Sequence, residues 1–176
     1  LLKAFVGRCS FHNFTAELGE DGPSDPARTV ERFELGPVRV GAGGVQYVAI
    51  LIEGESFIYH QIRKMVGFAI FLLRYRATHK ERFDEIEQAL SGRQRRYIPL
   101  APSVGLMLER VFFTKVNRTH GGATTLLDFE GVEQEMDRFR SRRVYPEVDG
   151  TERNEQSKTG DQVQVSSSMM HWLDFL

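Results

Sequence analysis

Cysteine is nearly absent from this chain: Cys9 is the only one among 176 residues, so an internal disulfide is excluded and no oxidising compartment is implied. The five histidines, His12, His60, His79, His120 and His171, are scattered, and none stands at a metal-ligand spacing from Cys9, which argues against a metal site. Long apolar runs are missing too. The run that opens at Phe57 is cut by His60, Arg63, Lys64 and Arg74 before it reaches membrane-spanning length. Charge of one sign is not in excess: the net charge of -1 excludes a uniformly basic nucleic-acid binder but leaves room for local basic patches that steer phosphates. A signal-peptide layout is absent at the amino terminus, and the opening on Leu1-Leu2 without methionine suggests a piece of something longer.

What is present reads as globular, with 41% hydrophobic and 27% charged residues over a length suited to one full core. The most informative stretch is Tyr59 to Phe68. On a helix of about 3.6 residues per turn, Ile62, Val66, Ala69, Ile70 and Leu73 fall together with Met65, Phe68 and Leu72 beside them, while His60, Arg63, Lys64, Gly67 and Arg74 take the opposite arc. A helix apolar around most of its girth is buried, so the polar arc must face water, a partner or a cavity. No Asp or Glu lies within two turns of Arg63 on that arc. Arg63 and Lys64 therefore either snorkel into solvent or await an anion supplied from elsewhere.

The elements come in mixed order. Phe5 to Thr15 is short and aromatic, and Glu20 to Ala27 is a Gly/Pro/Asp loop. Strands are expected over Thr29 to Val40 and Val45 to Glu53 around a glycine-rich turn, helices over Ser56 to Arg74 and Lys80 to Leu90, and an interior strand over Gly105 to Phe113. The pattern predicts an α+β fold, a mostly antiparallel sheet backed by helices, with extra carboxyl-terminal helices. Of these, Val132 to Arg143 is expected to be amphipathic with Phe139 inward, and Ser166 to Ser168 to cap a last helix through Trp172. Asp149 to Gln164 is polar and reads as a mobile linker. The expected division is a core over 1–117, a helical extension over 118–148, and linker plus final helix over 149–176.

Several segments in order carry a resemblance: Phe5-Val6-Gly7, Ser10 to Thr15 (SFHNFT), Glu53 to Gly67 (EGESFIYHQIRKMVG) and Pro99 to Val111 (PLAPSVGLMLERV). Together they resemble the second half of TruA-type tRNA pseudouridine synthases, and Tyr145-Pro146 with Gly150 to Arg153 is similar to the eukaryotic branch. The resemblance implies an isomerase that detaches uracil from C1′ of a uridine in RNA, turns it and rejoins it through C5, using an aspartate and neither metal nor cofactor. Arg63 would pair with that aspartate, since a planar guanidinium grips a carboxylate through two parallel bonds and keeps it ionised. The family carries the aspartate in an Arg-Thr-Asp-Lys-Gly motif, and a base-contacting tyrosine, in its first half. This chain has neither, so the implied partners are tRNA and the amino-terminal half of the same polypeptide, with no membrane, and the chain alone is expected to be inactive.

Other positions follow from the same resemblance. Leu106 or Leu108 would offer an aliphatic surface to the flipped base. His60 and Lys64 would line the substrate, with His60 orienting Arg63 or touching RNA rather than moving protons. His12, Asn13 and Phe14 would contact RNA by hydrogen bonding and stacking, or form a hydrogen-bonded loop tucked on the domain. Arg93, Arg95 and Arg96 would follow the RNA backbone, with Arg138, Arg140, Arg142 and Arg143 a second basic cluster; either is otherwise a solvated face. Cys9 reads as a small buried thiol. Nuclear residence is implied, with mitochondrion or cytoplasm as alternatives. The competing reading is a non-catalytic α+β RNA-binding or scaffold domain.

Overall fold

The computed structural model describes residues 1–15, 25–41, 44–91, 94–120 and 129–150. They divide into two compact units, one spanning Leu1–Pro102 and a second beginning at Ser103.

The first unit is a three-stranded antiparallel sheet in the order β1-β2-β3, with β1 at Gly7–Ser10, β2 at Ala27–Val40 and β3 at Gln46–Gly54. The two long strands lie where alternation places them. β1 is a strand that composition does not announce: Gly-Arg-Cys-Ser is held extended by pairing with Ala27 to Val30, and it opens at Gly7, whose φ of 115° only glycine adopts freely. A short 3₁₀ turn, Leu2–Phe5, precedes it.

Two helices, α1 (Gln61–Tyr75) and α2 (His79–Ser91), supply buried side chains to the same core as the sheet. That core gathers Phe5, Phe11, Phe14, Val30, Phe33, Met65, Phe68, Leu72 and Ile86, with edge-to-face contacts of Phe14 to Phe5, Phe11 and Phe68. The buried residues of α1 are Gln61, Met65, Gly67, Phe68, Ala69 and Leu72, so of the expected apolar face only Ala69 is buried, Gly67 of the expected polar arc is buried too, and Leu73 is exposed. This corrects the expected face centred on Ile62, Val66 and Ile70: an apolar girth does not say which side meets the sheet. The helix also starts later than Ser56. The buried Ile58 anchors a turn, its N–H donating to Gln61 Oε1 at 3.0 Å, and His60 at φ 66° leads into the first helical residue. A capping box opens α2: Thr78 Oγ1 accepts from Glu81 N–H and Glu81 Oε2 from Thr78 N–H.

The second unit contains α3 (Thr114–His120) and α4 (Glu133–Phe139), the latter continuing through a π turn at Arg140–Val144 into helix over 145–150. Gly105 to Phe113 is not a strand. No described strand pairs with it, and a strand needs a neighbouring edge to satisfy its backbone groups. Phe139 points outward rather than inward, because α4 buries none of its residues. Asp149 and Gly150 are helical and Asp149 is buried, so the expected linker does not begin at Asp149, and its remainder from residue 151 lies outside the described residues. Ser166 to Ser168 and Trp172 lie outside the described residues.

Candidate active-site half and RNA-facing surface

Arg63 and Lys64 leave the first turn of α1 about 100° apart and meet different surroundings. Arg63 Nε donates to the carbonyl of Ala101 at 2.7 Å, and Ala101 N–H returns a bond to the Arg63 carbonyl at 3.2 Å. This pair fixes the guanidinium at one nitrogen. Among the described residues no carboxylate pairs with it, and its Nη groups have no partner.

Lys64 Nζ donates to the carbonyls of Thr15 at 2.7 Å and Asn13 at 3.3 Å. Its pKa is lowered by burial and by the nearby charge of Arg95. His60, one turn before Arg63, stacks on Tyr59 with ring centres 3.9 Å apart, and its Nδ1 is buried without a partner. Burial, then Arg63 and Lys64, push its pKa down, so near neutrality it is an uncharged imidazole.

The Phe11 to Thr15 segment is a structural hub. Asn13, only 2% exposed, donates through Nδ2 to Ala89 O at 3.0 Å and His12 Nε2 at 2.9 Å, and accepts from Arg96 N–H at 2.9 Å. With His12 Nε2 accepting, its Nδ1–H is left to donate to Ser10 Oγ at 3.0 Å. Phe14 is 0% exposed. The expectation that Asn13 and Phe14 touch RNA is therefore corrected: the side chain of Asn13 is consumed by buried hydrogen bonds and that of Phe14 by ring packing. His12 is half-buried with both ring nitrogens engaged, which favours the same tucked-loop reading.

Arg96 is also reassigned. Its guanidinium donates to Glu85 Oε2 and Gln88 Oε1, each at 2.6 Å, and Glu85 also accepts from Arg76 at 2.9 Å. Burial opposes ionisation of Glu85, yet the two arginines hold its pKa below the ordinary value, so the guanidinium of Arg96 is ion-paired inside the fold with a carboxylate it shares with Arg76. Arg95 differs. It is exposed and donates only to the His12 carbonyl, at 3.2 Å. Arg93 lies outside the described residues. Lys64, Arg95 and Arg96 line one concavity of about 380 Å³ together with Asn13, Tyr97 and Ile98. Tyr97, missed in the sequence, was signalled there by an aromatic directly following two arginines.

Leu106 and Leu108 belong to the second unit and are 52% and 78% exposed, available to a ligand rather than packed in a core. In that unit Arg140 is tied to Glu109 and Asp137. Cys9 is half-buried against the core, and burial raises its pKa. Among the described residues no cluster of histidine, cysteine or acidic side chains is able to hold a metal ion, and no helix is long and apolar enough to cross a membrane.

A family model described as tRNA pseudouridine synthase matches residues 1–114. The chain is 35% identical over 160 residues to the human pseudouridylate synthase 1 homolog, covering 89% of this chain and 36% of that protein. It is 34% identical over 158 residues to tRNA pseudouridine synthase 1 of Kluyveromyces lactis, covering 88% of this chain and 27% of the relative. The Saccharomyces cerevisiae protein of that name is 36% identical over 116 residues, 65% of this chain and 20% of its own length. The chain thus spans about a third or less of the curated relatives it matches. The matched stretch takes in Arg63 with its Ala101 contact and the leucines that follow Pro102, and on that correspondence the chain belongs to the tRNA pseudouridine synthase family.

Proposed function

We propose that this chain is the carboxyl-terminal half of an RNA-modifying isomerase that converts uridine to pseudouridine in tRNA, and that Arg63 supplies the cation pairing with a catalytic aspartate carried by the amino-terminal half of the same polypeptide. One observation carries the reading. Arg63 is rooted in a packed helix and oriented by Ala101 O, yet no acid among the described residues meets its Nη groups. A guanidinium held in this way is preorganised for a bidentate carboxylate, which it orients and keeps ionised.

In the proposed reaction the N1–C1′ bond of the target uridine breaks, uracil turns within the site, C5 bonds to C1′, the proton on C5 is lost to solvent, and the freed N1 takes up a proton from solvent. Arg63 does not touch the moving base in this scheme; it fixes the carboxylate that does. Neutral His60 beside it is an uncharged neighbour that does not compete for the carboxylate. Leu106 and Leu108 are proposed as the aliphatic surface against the base. A further support is the apolar stripe on the β2–β3 hairpin, Leu35, Val38, Val40, Val48 and Ile50, all exposed, which a larger polypeptide would cover.

The test is release of tritium from tRNA labelled at C5 of uridine. The full-length polypeptide that contains this chain is expected to release tritium in proportion to pseudouridine formed, and the 176-residue chain alone none. Turnover by the chain alone would mean that its nucleophile is internal and the proposed pairing wrong.

A further inference from the structure

Two cations in the concavity beside α1 have no acidic partner among the described residues. Lys64 and Arg95 donate only to main-chain carbonyls, of Thr15 and Asn13 in one case and His12 in the other. Carbonyl dipoles orient a cation but leave its charge unmatched, whereas Arg96 in the same wall is ion-paired with Glu85, a carboxylate it shares with Arg76. The fold therefore holds two like charges close enough to feel one another, an arrangement that an arriving anion relieves. Tyr97 stands in the same wall, 76% exposed, with its ring in none of the aromatic pairs of the described residues. Arg63 bonds Ala101 and is not among the residues that line this concavity, which places the concavity beside the guanidinium rather than around it.

We propose that the concavity lined by Lys64, Arg95 and Tyr97 is a subsite for a nucleotide flanking the reacting uridine: the two cations take a backbone phosphate, and the tyrosine ring stacks on the adjoining base. The inference rests on the RNA-isomerase reading and adds a position to it. Phosphate is favoured over the carboxylates of an acidic peptide because a planar ring beside two cations matches a base beside its phosphate. Any base presents a π-face, so the contact contributes affinity and register with little sequence information.

Binding is measured with the full-length polypeptide against a fluorescent single-stranded oligouridylate and a matched oligonucleotide with abasic residues, over a series of salt concentrations. Tyr97→Ala is expected to weaken oligouridylate binding about tenfold, to leave abasic binding unchanged, and to be rescued by Tyr97→Phe. Arg95→Gln is expected to lower the salt slope by about 0.7 on both ligands, one phosphate contact on a single strand. Equal weakening on both ligands by Tyr97→Ala, no weakening on either, or an unchanged salt slope for Arg95→Gln overturns the subsite. So does displacement of the RNA by polyglutamate but not by the abasic oligonucleotide, which assigns the concavity to an acidic peptide. If the wild-type protein releases tritium from C5-labelled tRNA while these variants bind normally, the subsite alone fails; absence of both binding and release defeats the isomerase reading with it.

Discussion

Arg63 illustrates how much depends on the shape of a charge. Lysine at this position keeps the charge but loses the planar fork and the Nε–H that bonds Ala101. On the proposed reading, in the full-length polypeptide Arg63→Lys is expected to lower kcat by about 10- to 100-fold, the worth of a charge-assisted bond, while tRNA affinity stays nearly constant. A loss confined to affinity would make Arg63 a phosphate contact instead. His60 adds a pH dependence. Burial, Arg63 and Lys64 set its folded pKa below its unfolded value of about 6.5. The unfolded chain therefore binds more protons in the window between the two. The contribution of His60 to stability is complete above the unfolded value and is lost as pH falls through that window. The urea midpoint of the wild type is expected to drop as pH falls through and below the unfolded value, and that of His60→Gln to drop less. Equal drops would place the acid sensitivity elsewhere.

Among the elements, the β2–β3 hairpin shows what sequence pattern conveys and where it stops. Alternation and the Gly-rich turn were enough to locate both strands, yet the pattern did not announce that Gly54 sits where a side chain has no room. A Cβ there would lie 2.5 Å from the backbone oxygen of Thr29, which cannot move aside as a flexible side chain would. Gly54→Ala is expected to destabilise the chain by about 1 to 3 kcal/mol, seen as a lower urea midpoint. An unaltered midpoint would show that the strand end separates without cost. Helix α1 was legible from its apolar run, but its buried face and first turn were decided by contacts with Phe14 and by the turn at His60. Thr78 and Glu81, by contrast, carry a capping signal at a spacing readable without any structure. The apolar segment from Gly105 to Phe113 resembled a strand because pattern reports hydrophobicity, while strand formation needs a neighbouring edge.

At the scale of the whole chain, surface left apolar is as informative as the core. The pairs Leu35 with Ile50 and Val38 with Val48 continue the face begun by Phe33 and Ile52, but only the latter end is covered; Val38 is 64% exposed. A branched aliphatic stripe on a hairpin favours association with whatever apolar surface it meets. The 176-residue chain is expected to self-associate with rising concentration in light scattering, and Val38→Lys to shift it toward the monomer mass. A mass that Val38→Lys leaves unaltered would locate the contact on another face.

The sequence by itself determined the family, the α+β class, the two long strands and the isolation of Arg63 from nearby acids, because these reside in periodicity and in motifs of adjacent residues. It did not determine which polar residues are spent inside. Asn13 is bound by Ala89 and Arg96, and Glu85 by Arg76 and Arg96, across spans of chain that no local pattern encodes. Packing brings these groups together, and only then do Arg96 and Asn13 become structural while Lys64, Arg95 and Tyr97 line a concavity, the two cations with no acidic partner among the described residues. Availability is set by which partners the fold has already assigned, and that assignment is made in three dimensions.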